Sequence, residues 1–222
     1  IYETARAGDG YLSIESSDTT RLAVTNQNHA LVESIATIPG SLDEDGVYLV
    51  VNRTINGATK RYIEYFNFFN FGSNILDAYF VDCGLSYSGS SATTLSGLTH
   101  LEGESVTVIP NGTAHPNKSV SSGQVVLDRA TTSAYVGLPF TSTLKTMRVD
   151  AGGMEGTSQG KIKRIHDVTL RLFRSIGVKV GSTESTYDLI PFRSSADEMN
   201  QAVDLFSGDK EIEFRGGYET DG

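Results

Sequence analysis

From Val47 to Phe66 the chain reads VYLVVNRTINGATKRYIEYF, two runs rich in β-branched and aromatic residues that meet at Asn56-Gly57. Asn-Gly is the favoured pair for a two-residue type I′ turn, because both central positions need positive φ. That turn sets the antiparallel register. Ile55 faces Ala58, Val51 faces Tyr62, Val50 faces Ile63, Leu49 faces Glu64, Tyr48 faces Tyr65 and Val47 faces Phe66. Both faces of the hairpin are then largely apolar, which predicts a hairpin covered on both sides within a larger β assembly.

Other segments repeat the strand pattern. YLSIE (11–15), RLAVT (21–25) and ALVESIATI (30–38) precede the hairpin, the last stopped by Pro39-Gly40. After it come SVTVI (105–109), a turn at Pro110-Asn111-Gly112, then KSV, QVVLD (124–128), SAYVGL (133–138) and TLKTMRV (143–149). Such spacing of short strands indicates a small barrel or sandwich. In RIHDVTLRLF, Val168, Leu170 and Leu172 alternate with Thr169 and Arg171, a period of two that predicts a strand with a wet face. Ser195 and Glu198 match a capping box followed by Met199, Ala202, Val203 and Phe206, which predicts one short helix stopped at Gly208. SYSGSSATTLSG (86–97) has linker composition. The expected fold class is all-β: antiparallel sheets, propeller- or sandwich-like, with at most one short helix. The expected organisation is a host β domain in two parts, 1–83 and 143–222, interrupted by a small β module at 84–142. The ends of the chain read as those of an excerpt from a longer polypeptide.

Composition narrows the function classes. A formal net charge of −9 argues against a surface built to grip nucleic acid by counterion release, which needs clustered Lys and Arg. The single cysteine, Cys83, allows no disulfide within the chain and no cysteine-based zinc site. No apolar run reaches the roughly 20 residues that a membrane helix needs.

Candidate chemistry is sparse. The four histidines, His29, His100, His115 and His166, have no metal-ligand spacing. His166 and Asp167 are adjacent on an expected strand, so their side chains should diverge. Ser142 and Lys145 satisfy S-x-x-K, but they begin a strand and lack the partner motifs of penicillin-binding enzymes. The acidic loop SLDEDG (41–46) lacks the spaced ligands of a calcium loop. Asp77 and Asp82 would point to opposite faces of a strand, which is poor geometry for acid–base work. No catalytic residue, cofactor or metal site is assigned. The aromatic stretch NFFNFGSNILDAYFVD supplies Phe68, Phe69, Phe71 and Tyr79, read as core-packing or subunit-interface residues because no basic residues interleave them.

The ordered succession VYLVVNRTINGATKRYIEYF, LDAYFVDCGLSYSG, LTHLEGESVTVIPNGTAHP, AYVGLPFTSTLKTMRV, SQGKIKRIHDVTLRLFRSIGVKVG, IPFRSSADEM and LFSGDKEIEFRGGYETDG resembles the nozzle, or tail tubular protein B, family of short-tailed bacteriophages. The resemblance covers about residues 31–222. Residues 98–149 also resemble, in fold only, the small β module likened to the four-catalytic-cysteine half-domain of ubiquitin-activating enzymes. The family resemblance implies a virion protein assembled in the host cytoplasm. It would form a sixfold ring with copies of itself and contact the portal, adaptor and tail fibre proteins. DNA would pass through it without sequence-specific binding, and an acidic wall suits that passage. The alternative is a carbohydrate- or receptor-binding module of a tail tip or fibre, which would use exposed aromatics such as Tyr135 and Phe140.

Overall fold

The computed structural model describes residues 2–4, 11–13, 21–25, 30–40, 45–66, 74–145, 161–162, 164–183, 186–199, 201–213 and 217–218. The protein is all-β: the described residues form strands and two single-turn 3-10 helices, Ile75–Asp77 and Thr99–Leu101, with no α-helix among them. Contacts divide the chain into two units, Ile1–Leu12 with Leu22–Leu144, and Ser13–Arg21 with Lys145–Gly222.

In the first unit the hairpin forms as the turn residues dictate. Strands β5 (Gly46–Ile55) and β6 (Ala58–Phe66) pair with Ile55 opposite Ala58, Val51 opposite Tyr62 and Tyr48 opposite Tyr65. Asn56 and Gly57 both have positive φ, 48° and 73°. The remaining strands are β1 (Tyr2–Thr4), β2 (Tyr11–Ser13), β3 (Arg21–Thr25), β4 (Ala30–Ile38), β7 (Asp82–Ser96), β8 (Ser105–Pro110), β9 (Lys118–Ser119), β10 (Gln124–Leu138) and β11 (Thr141–Lys145). With β5 and β6, six of these make one eight-stranded sheet in the order β4-β5-β6-β1-β7-β10-β8-β9, and β11, β3 and β2 make a smaller one. The large sheet is antiparallel except where β1 runs parallel to β6.

The main core gathers Leu95, Leu98, Leu101, Val106, Val108, Val125, Val136 and Leu138 from β7 to β10 with Ile55 of the hairpin, and Tyr62 packs against it. Burying each such aliphatic side chain stabilises the fold by about 1.5–3 kcal/mol. The stretch expected as an inserted module therefore shares a core with the hairpin.

Three expectations are corrected in this unit. The small polar stretch 86–97 is no linker: it belongs to β7 through Ser96 and pairs with β10. Its serines and threonines are exposed, while Leu85, Tyr87 and Leu95 supply the inward contacts. QVVLD and SAYVGL are one strand of 15 residues, because register irregularities between Val126 and Ser133 absorb the polar middle without ending the ladder. The hairpin, finally, is buried on one face only. Leu49, Val51, Arg53 and Ile55 are inside, whereas Ile63 on the other face is 52% exposed and Tyr48, Val50 and Tyr65 are half-buried. Apolar content on both faces did not distinguish a doubly covered strand from one with an exposed apolar face.

In the second unit β12 (Asp167–Ser175) pairs with β15 (Phe206–Glu213), and β13 (Lys179–Thr183) with β14 (Thr186–Leu189). The alternation in β12 holds, with Val168, Leu170 and Leu172 half-buried and the residues between them exposed through Phe173. His166 precedes the strand, so its side chain does not diverge from that of Asp167 as expected. Its Nε2 lies 3.1 Å from the Asp167 carboxylate.

The helix expected from Ser195 to Phe206 is absent among the described residues. Local polar groups capture the backbone instead: Ser194 N donates to Asp197 Oδ2 at 2.6 Å, and Arg193 donates to the carbonyls of Glu198 and Gln201, each at 2.7 Å. Such bonds compete with the helical ladder. Met199, expected on its apolar face, is 86% exposed. Lys210 helps fix the same loop, with Nζ 4.7 Å from the Phe206 ring centre, 5.6 Å from that of Phe192, and 3.3 Å from the Pro191 carbonyl.

Gly137 and Gly84 leave no room for a side chain where β10 and β7 approach each other. A Cβ on Gly137 would stand 2.6 Å from the Asp82 carbonyl oxygen, and one on Gly84 would stand 2.6 Å from that of Val136. At Gly57 a Cβ would meet nothing within 4 Å. Gly137→Ala is therefore expected to lower unfolding stability by about 2 kcal/mol or more, and Gly57→Ala by about 1 kcal/mol from its positive φ alone. Urea titration of the two variants checks the order; equal losses would contradict the close approach.

Candidate functional site

The strongest concentration of buried polar chemistry lies on the inner face of the hairpin. Alternation along β5 puts Leu49, Val51, Arg53 and Ile55 inward, and alternation along β6 does the same for Tyr62 and Glu64. Arg53 reaches back past Val51 to Glu64, where Nε bonds Oε1 at 2.5 Å and Nη2 bonds Oε2 at 2.9 Å. Both side chains are 0% exposed. The geometry is bidentate, which compensates burial better than a single contact can. Arg53 Nη1 is buried without a hydrogen-bond partner. Burial by itself would lower the Arg53 pKa, but the hydrogen bonds and charge of Glu64, aided by Cys83 and Asp82, hold it above its ordinary value.

β7 supplies the second side of the cluster. Asp82 and Cys83, its first two residues, are both 0% exposed, and Cys83 has a φ of 48°. Burial, followed by the charge of Glu64, pushes the Cys83 thiol above its ordinary pKa. His100, on the turn after β7, brings Nε2 within 3.0 Å of the Cys83 carbonyl. A carbonyl only accepts, so Nε2 carries the proton in this contact. Tyr62 OH donates to the His100 carbonyl at 2.7 Å, and the two rings meet edge to face at 6.1 Å. At the hairpin tip, Asn56 N donates to Glu104 Oε1 at 2.6 Å.

Chemically, the cluster holds elements together. The thiol is buried, and His100 Nε2 donates to the Cys83 backbone carbonyl and not to the sulfur, so His100 is not placed as a base for Cys83. Among the described residues no group of three or more His, Cys, Asp and Glu is placed to hold a metal ion. An open groove of ≈ 510 Å³ in the second unit is lined by Asp167, Thr169, Glu211, Ile212 and Glu213. Asp167 and Glu213 stand directly opposite in register, a like-charge pair on an exposed face.

Of the aromatics singled out by the sequence, Tyr79 is 4% exposed and meets Tyr135 edge to face at 5.1 Å, with Phe140 packed on the same small cluster. Phe68, Phe69 and Phe71 lie outside the described residues, as does the acidic loop at 41–44. Asp77 sits in a 3-10 turn and Asp82 begins β7, so the two do not share a strand as expected. Sequence reasoning missed Arg53 and Glu64. Their signal was a pair of opposite charges at inward positions of an otherwise apolar alternation. No family model and no curated protein matches the chain.

Two outcomes follow. Arg53→Met leaves Glu64 buried without its counter-charge, for an expected loss of about 3–5 kcal/mol. Arg53→Met combined with Glu64→Leu is expected to recover most of that loss, as measured by denaturant unfolding of both variants; a double variant no better than the single would contradict the pairing. His100 gives a pH dependence. Burial, partly offset by the hydrogen bond to Cys83, holds its pKa below the ordinary 6.5. The unfolded chain therefore takes up this proton first. The stabilisation is complete above pH about 6.5 and is lost as pH falls towards the lower folded-state value. Unfolding midpoints between pH 7 and 5 should fall less steeply in His100→Gln.

Proposed function

We propose that the chain is part of a structural subunit of a phage tail, a nozzle or tail-tube protein that contributes to the DNA-ejection conduit below the portal and adaptor. The observation that carries this reading is the ordered run of segments along residues 31–222 that resembles the nozzle family. The all-β fold agrees with it, and so does a buried polar cluster that joins strands. Its partners are further copies of itself in a sixfold ring, the portal and adaptor, and tail fibre proteins. DNA passes without sequence-specific contact, and the net charge of −9 disfavours sticking along the bore. The protein then resides in the virion tail after assembly in the host cytoplasm.

The competing receptor-binding reading needs exposed aromatics, and the two it would use, Tyr135 and Phe140, are half-buried against Tyr79 and Val81. Mass photometry and negative-stain imaging of the protein carrying this chain, alone and with its portal–adaptor complex, test the proposal. A sixfold ring that docks coaxially is expected. A monomer that ignores the portal would overturn the conduit role.

A further inference from the structure

The two ends of the eight-stranded sheet are finished differently. At one end β9 has only two residues, and Lys118 within it is paired with Asp128 at 2.6 Å. At the other end β4 offers nine residues, and among the described residues no further strand lies beside it in the sheet. Short, charged edges resist pairing with other chains, and long apolar ones invite it.

Along β4, Leu31, Ile35 and Ile38 are 64%, 65% and 52% exposed. The strand contains no lysine and no proline. Its one charge, Glu33, lies at the register shift between Val32 and Ser34, and both its carboxylate oxygens are occupied within the sheet, by Asn52 at 3.2 Å and Arg61 at 2.7 Å. The shift leaves Ser34 to Ile38 regularly paired with β5.

We propose that β4 pairs antiparallel, edge to edge, with β4 of a second copy of this chain. At a net charge of −9 two copies repel over most of their surface, so a self-contact has to be made where charge is already paired or absent. Centred on Ile35, within the regularly paired stretch, the pairing sets Ile35 opposite Ile35 and Ser34 opposite Ala36, and it places Glu33 towards the uncharged Thr37 end of the second strand. No like charges meet, and apolar side chains face apolar ones. A strongly basic or acidic partner strand would find no complementary row of charges there. The contact is two-fold and isologous, so it stands independently of the conduit reading, whose ring closes through head-to-tail contacts.

Ile35→Lys and Ile35→Glu test it, because a two-fold axis at Ile35 brings each new charge against itself. The side chain is mostly exposed, so both variants should fold, which circular dichroism checks. Sedimentation velocity on the full chain should show concentration-dependent dimers for the parent and at least tenfold weaker self-association for each variant alone. Mixing the lysine and glutamate variants should restore dimers at the parental level. A parent that stays monomeric to millimolar concentration would overturn the proposal, as would variants that associate like the parent or a mixture that fails to recover. Ring imaging of the parent reports on the conduit reading separately.

Discussion

The buried ion pair between Arg53 and Glu64 is the constraint around which the larger unit is arranged. Two charges taken fully out of water cost several kcal/mol each unless the geometry compensates. Here a two-pronged contact answers the carboxylate, and the guanidinium sits within the field of Asp82 as well. Neither partner tolerates displacement, so β5, β6 and the start of β7 hold one relative placement. Apolar packing alone is more permissive of sliding. Tyr62 and His100 extend this polar framework onto the turn after β7, and Glu104 fixes the hairpin tip.

That framework accounts for the common core of hairpin and β7–β10. Ile55 and Tyr62 face the same interior as Leu98, Leu101 and Val106, so the hairpin closes one side of a core that the later strands enclose on the other. The second unit is organised otherwise. Its β12–β15 ribbon has a half-buried apolar face, and its long loop is shaped by Arg193, Asp197 and Lys210 through bonds to the backbone and to aromatic rings.

What could be read from the sequence follows from how local the determining physics is. The Asn56-Gly57 turn fixes φ and hence register, so each described pair from Ile55–Ala58 to Tyr48–Tyr65 agreed with expectation. Strand β12 was legible for the same reason, since alternation is a local property. Ser86 to Ser96 was not, because small polar residues serve a linker and the exposed side of a paired strand equally well, and only the long-range partner β10 decides. The expected helix after Ser195 failed because Arg193 and Asp197 offered the backbone nearer partners. The buried cluster required knowing that an arginine and a glutamate on facing strands both point inward. Their alternation recorded that fact, but a charged residue is ordinarily assigned to solvent.

The position of Cys83 has a wider consequence. It is the chain's one cysteine, it is 0% exposed, and burial keeps its sulfur in the thiol form. Oxidants attack the thiolate, and exchange needs an accessible sulfur. While this fold holds, Cys83 is shielded from oxidants and from disulfide exchange, so the placement of the start of β7 does not depend on whether the medium is reducing or oxidising.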